Sequence, residues 1–183
     1  MSKKNSTKKY LPVVLGIVIM VLDVSVVSAQ LAEKHIQDLV AANHILAQQD
    51  VLDGYGHLSV RHPDNPNHIL ISRSRPAALV EVADIVEVDL DGNPLDPDAP
   101  SLFQETFIHT EIYRLRPDVH AIVHNHSPTV ITFSISSVPL LALNSLSAFI
   151  MQGVPIWDYR SLGIERGTLV DDASRGRDLA ETL

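Results

Sequence analysis

Cysteine is absent from the 183 residues. That excludes disulfides and thiolate ligands, so any transition-metal site must be built from histidine and carboxylate. Aromatic residues make up only 5% of the chain, too few for a platform that stacks single-stranded nucleic acid. Positive charge is also scarce. Fourteen Lys and Arg face 22 Asp and Glu, leaving a formal net charge of −8, and no basic stripe interrupts it. Nucleic acid and anionic membrane faces are therefore not expected partners. What is plentiful is apolar: 45% hydrophobic against 20% charged residues, enough for one packed domain.

The first 29 residues read separately from the rest. Lys3, Lys4, Lys8 and Lys9 precede an apolar run over 11–22, then Asp23 and the small residues Ser28 and Ala29. A basic start, a short apolar stretch and a small-residue cleavage site form the pattern of a secretory signal. The expectation is export, to a periplasm, with residues 1–29 removed. The alternative is an uncleaved membrane anchor, since 11–29 nearly reaches spanning length.

From residue 30 onward the chain reads as one domain, without repeat or linker. Residues 31–49 carry apolar positions near helical spacing, and Asp53-Gly54-Tyr55-Gly56 breaks the run. His57–Arg61 alternates as a strand does, and the turn 63–67 leads to a second strand at Ile69. A short helix is expected over 76–83 and a strand over 85–90. Ser101 and Gln104 match a capping box, which predicts a helix from about Leu102 to Leu115. A strand over 120–126, a helix from Pro128, a strand over 154–159 and a helix over 171–182 complete the pattern. Interleaved strands and helices predict a layered α/β domain.

Chemistry concentrates at His124-Asn125-His126. The tripeptide ends the apolar run Ala121-Ile122-Val123, and side chains two apart on a strand point the same way. Two imidazoles thus project together, with Glu105 upstream in the first turn of a helix. Two imidazoles and a carboxylate suit metal-assisted acid/base chemistry on an oxygen-rich small molecule. His109 and Tyr113, four apart on one helix face, read as packing residues, as do Trp157 and Tyr159.

Three segments together, Gly56–Arg61, the Glu105–Pro117 helix with His109 and Tyr113, and Val123–His126, resemble the class II aldolase/adducin family. The resemblance runs from about Leu31 to Leu183. It implies a three-layer α/β/α fold around a central, largely antiparallel sheet, and a divalent metal, zinc foremost and manganese next. It implies a lyase of aldolase or decarboxylase type, acting on a small hydroxylated carbonyl or carboxylic acid substrate through an enediolate-like anion. His124 and His126 would be metal ligands, Glu105 the catalytic acid/base group, and the assembly a homo-oligomer, commonly a tetramer. Adducin itself implies the alternative, a non-catalytic interaction module or an inactive remnant.

Two departures accompany the resemblance. The family's third metal histidine lies several dozen residues past the His-x-His pair, and no histidine follows His126. The third ligand is therefore expected beyond Leu183, with this sequence a C-terminally truncated, poorly soluble form. Second, the family's phosphate-binding glycine and small hydroxylated residues align here with Gly56-His57, Ser74-Arg75 and Phe103-Gln104. Bulky and charged groups there disfavour a phosphate pocket. His57, Ser74 and Arg75 become the expected substrate-binding residues, with Arg75 or Arg73 pairing a substrate carboxylate.

Overall fold

A computed structural model of the chain describes residues 33–162 and 167–183. The expected signal or anchor over 1–29 lies outside the described residues. No helix among the described residues is long and apolar enough to cross a membrane.

Helix α1 spans 33–48. Strands β1 (His57–Arg61), β2 (His68–Ser72) and β3 (Ile85–Asp89) follow. Then come α2 (Thr106–Leu115), β4 (Ala121–His124), α3 (Pro128–Ser134) and α4 (Ala173–Thr182). The strands form one sheet in the order β3-β2-β1-β4, antiparallel at every pairing.

Strand alternation explains the layers. Leu58 and Leu70 point to one face and pack with Leu39 of α1. Ile69, Ile71, Val86 and Val88 point to the other and pack with Tyr113 of α2. Both faces are covered, so β2 is apolar at three consecutive positions, Ile69-Leu70-Ile71, all buried. Helix α4 lies against α2 through Ile108, Ile112 and Ala180. The result is α/β/α layering: α1, sheet, and α2 with α4.

Several boundaries differ from expectation. Helix α2 starts at Thr106, not near Leu102, with Glu105 at its N-cap. The Ser101/Gln104 box is not used: Ser101 gives its carbonyl to Ser74 N–H at 2.9 Å instead. The expected helix over 76–83 resolves into two 3₁₀ turns, Ala77–Leu79 and Val82–Asp84. No strand forms over 154–159. There Trp157 sends its indole N–H to Asp178 of α4 at 2.6 Å, a side-chain anchor in place of a ladder.

Candidate metal centre

The centre grows from the β1–β4 pairing, which sets His57 directly opposite His124. Gly56 permits the approach: a Cβ there would lie 3.0 Å from the His124 carbonyl oxygen and 2.8 Å from Leu52. The two imidazoles stack, with centroids 4.8 Å apart and planes 26° from parallel. His126, just past β4, meets His124 edge to face at 87°, with the two Nε2 atoms 3.1 Å apart. Glu105, at the head of α2, brings Oε2 to 3.4 Å from His124 Nε2. His57, Glu105 and His124 each place one ligating atom within 4.8 Å of the others.

Supporting contacts fix these groups. Asp53 accepts from the backbone N–H of Gly56 at 2.7 Å and of Tyr55 at 3.0 Å. The same carboxylate faces His126 Nδ1 at 3.1 Å. Holding the proton on Nδ1 leaves the Nε2 lone pair turned toward His124, the usual carboxylate–histidine arrangement behind a metal ligand. Burial would raise the Asp53 carboxyl; the two backbone donors and His126 outweigh it and hold the carboxyl below the ordinary range. Glu105 is held below its ordinary range by the hydrogen bond to His124, against the opposing effect of burial, with the Val170 N–H assisting. It is a carboxylate at neutral pH. His57 is pushed down to about 3, first by burial and then by the neighbouring His124. It is neutral.

These residues fit a divalent cation. Two tetrahedral ligands at zinc distances stand about 3.3 Å apart, close to the 3.1 and 3.4 Å separations found at His124. An imidazole binds metal along a lone pair in its ring plane. The near-perpendicular planes of His124 and His126 intersect, so one ion can lie in both; the stacked planes of His57 and His124 do not converge within bonding reach. His124 and His126 are thus the better-placed imidazole donors, with Glu105 and His57 beside them.

Ser74 and Arg75 make their own contacts outside this cluster, Ser74 through its N–H to the Ser101 carbonyl. Arg75 spends its guanidinium on Asp84, at 2.7 Å, and on Glu81, at 3.6 Å. Arg73 joins the same Asp84 carboxylate at 2.5 Å. Neither Ser74 nor Arg75 makes a hydrogen bond or ion pair with the imidazole group. His109 and Tyr113, expected to be plain packing residues, are buried and hydrogen-bonded. His109 Nε2 lies 2.6 Å from His57 Nδ1, and its Nδ1 lies 2.6 Å from Ser59 Oγ. Period-two pairing of β1 with the four-residue stripe Glu105, His109, Tyr113 on α2 was the signal for this seam. Asp53 gave only a turn signal.

Comparison with known proteins identifies the family. Residues 37–183 match the model of the class II aldolase and adducin N-terminal domain. A decarboxylase, tropJ, of Talaromyces stipitatus is 37% identical over 125 residues, covering 67% of this chain and 47% of that protein. The 3,4-dihydroxyphthalate decarboxylase of Arthrobacter keyseri is 32% identical over 160 residues, covering 79% and 59%. The chain thus spans about half the length of these curated relatives. The L-fuculose 1-phosphate aldolase from Glaciozyma antarctica superposes with a TM-score of 0.67 at 22% identity, over 99% of this chain and 62% of that one, which shows the shared fold. This protein belongs to the class II aldolase and adducin family.

Proposed function

We propose that the protein acts as a divalent-metal-dependent lyase of decarboxylase type on a small hydroxylated carboxylic acid. The observation that carries the reading is His124 Nε2, which stands 3.1 Å from His126 Nε2 and 3.4 Å from Glu105 Oε2. The two decarboxylases among its relatives support this reaction over aldol cleavage, as does the bulk of His57 and Phe103 where family aldolases carry small phosphate-binding residues.

In this reading His124 and His126 hold the cation, zinc foremost, with Glu105 beside it. A bound divalent ion supplies Lewis acidity, drawing negative charge onto substrate oxygens. The chain's own residues do the rest. Asp53 keeps His126 in its ligating tautomer. Glu105, ionised and half enclosed, takes a proton from a substrate hydroxyl. Loss of carbon dioxide leaves an electron pair on carbon, and Glu105 returns the proton there. Ser74 and Arg75 enter as substrate contacts beside the segment leading to Glu105, with Arg75 shared between Asp84 and a substrate carboxylate. Export through residues 1–29 and assembly into a homo-oligomer belong to the same proposal.

The test is Glu105→Gln, assayed for carbon dioxide release from 3,4-dihydroxyphthalate with metal content measured in parallel. The expected loss is on the order of 10²–10⁴ in rate with metal retained. Unchanged turnover would remove Glu105 from the reaction.

A further inference from the structure

Behind the metal centre lies a buried polar seam that the proposed reaction does not use. His57 Nδ1 meets His109 Nε2 at 2.6 Å. His109 Nδ1 meets Ser59 Oγ at 2.6 Å. Ser59 Oγ meets Tyr113 Oη at 3.0 Å, and Tyr113 Oη donates to the Ser59 carbonyl oxygen at 3.1 Å. All four residues are at most 1% exposed. The Arg61 guanidinium covers the Tyr113 ring at 4.7 Å and closes the far end.

The last acceptor sets the direction of every bond before it. A carbonyl oxygen only accepts, so Tyr113 gives it the phenolic hydrogen; burial lifts that phenol to about 12, so the hydrogen is present. Tyr113 then has no second hydrogen for Ser59, and the Ser59 hydroxyl must donate to Tyr113. Ser59 in turn has none left for His109, so His109 donates from Nδ1 to Ser59. The neutral His109 ring therefore carries its lone pair on Nε2 and accepts from His57 Nδ1–H. The reverse polarity would make three of these hydrogen bonds where this one makes four, and a bond given up in a buried setting is costly.

We propose that His109, acting through Ser59 and Tyr113, is a positioning residue that fixes His57 as the Nδ1–H tautomer. The Nε2 lone pair of His57 is then turned toward His124 and Glu105, whose ligating atoms lie within 4.8 Å, and accepts a hydrogen bond from a substrate hydroxyl drawn in between them. This rests on the lyase reading only for its substrate; the tautomer does not. His57 Nε2 has no protein hydrogen-bond partner among the described residues. Its ring, stacked on His124 at 4.8 Å and held by Phe103 at 4.5 Å, has no freedom to turn a different edge to the site. A neutral acceptor there selects a hydroxyl and disfavours a bare anionic oxygen.

Two-bond proton–nitrogen NMR correlations of the full chain, with and without zinc, read the tautomer directly. The wild type is expected to show His57 protonated at Nδ1 only. Tyr113→Phe removes the acceptor for the Ser59 hydroxyl, which then donates to His109, and His57 flips to the Nε2–H form. Ser59→Ala serves as a second variant and should show a mixture. Calorimetry with zinc present adds a binding readout: 3,4-dihydroxyphthalate should bind more tightly than phthalate, with the preference falling by about tenfold in Tyr113→Phe. An Nε2–H tautomer in the wild type, or an unchanged hydroxyl preference in the variant, would overturn the proposal. Because the tautomer is read without turnover, failure to find decarboxylation leaves this result independently legible.

Discussion

At the scale of single residues, Asp84 shows how much a short polar side chain can organise. Its carboxylate takes Arg73 at 2.5 Å, Arg75 at 2.7 Å and the Glu81 N–H at 2.8 Å. Burial would raise this carboxyl; the three donors outweigh it and hold it below the ordinary carboxylate range. A carboxyl depressed on folding stabilises the protein above its unfolded pKa, and that contribution is lost as pH falls through the folded value. The acid side of the stability profile should therefore be shallower in Asp84→Asn than in the wild type, and the variant less stable at pH 7 by roughly 2 kcal/mol, the scale of hydrogen bonds to a charged group. Urea melts across pH 3–7 would check both; parallel profiles would contradict it. At this scale the sequence was partly legible. His124 and His126 stood out because a two-residue period at a strand end needs no tertiary knowledge. Asp53 and His109 did not, since the partners that give them meaning, His126 and Ser59, are remote in sequence and only the β1–β4 and β1–α2 contacts bring them together.

At the scale of elements, α2 carries the centre on one face and its support on another. Glu105, His109 and Tyr113 repeat every four residues toward the sheet, whereas Phe107 and Glu111 turn to α4. Glu111 is buried and paired with Arg114 and Arg177, each at 3.2 Å. Gly176 lets the two helices touch, because a Cβ there would collide with the Phe107 carbonyl and crowd Glu111. Gly176→Ala should destabilise the protein by about 1–3 kcal/mol, the usual cost of overpacking. It should also loosen the Val170 contact to Glu105. Equilibrium denaturation measures the first effect; an unchanged midpoint would show that α4 can shift freely. The existence and type of α1 to α4 and of all four strands were legible, α1 from apolar spacing, β1 from alternation and α2 from a capping pattern. The start of α2 was misread because Ser101 and Gln104 matched a local capping pattern, whereas the Ser101 carbonyl was claimed by Ser74. The strand expected at 154–159 had the right residues but found no ladder partner among the described residues.

At the scale of the whole molecule, the sheet and its two helical layers are well covered, but residues 130–156 are not. Leu146 and Phe149 are each 87% exposed, and Ile135, Leu143, Met151 and Ile156 are nearly as open. Apolar area of this kind marks an interaction surface or an aggregation liability, in line with the homo-oligomer proposed above. Sedimentation of the purified chain is expected to show species larger than the 20.1 kDa protomer, reduced by Leu146→Asp combined with Phe149→Ser. A monodisperse protomer in the wild type would contradict this. Composition argued against nucleic acid and, without cysteine, removed thiolate ligands; the family-wide motif set supplied the layering. The central claim remains the cation held by the imidazole pair. Calorimetric titration of zinc into the full chain, beside His124→Ala and His126→Ala, tests it most directly. One ion per chain, with affinity lowered at least about tenfold in each variant, is the predicted result. Zinc affinity unchanged in both variants would contradict the account.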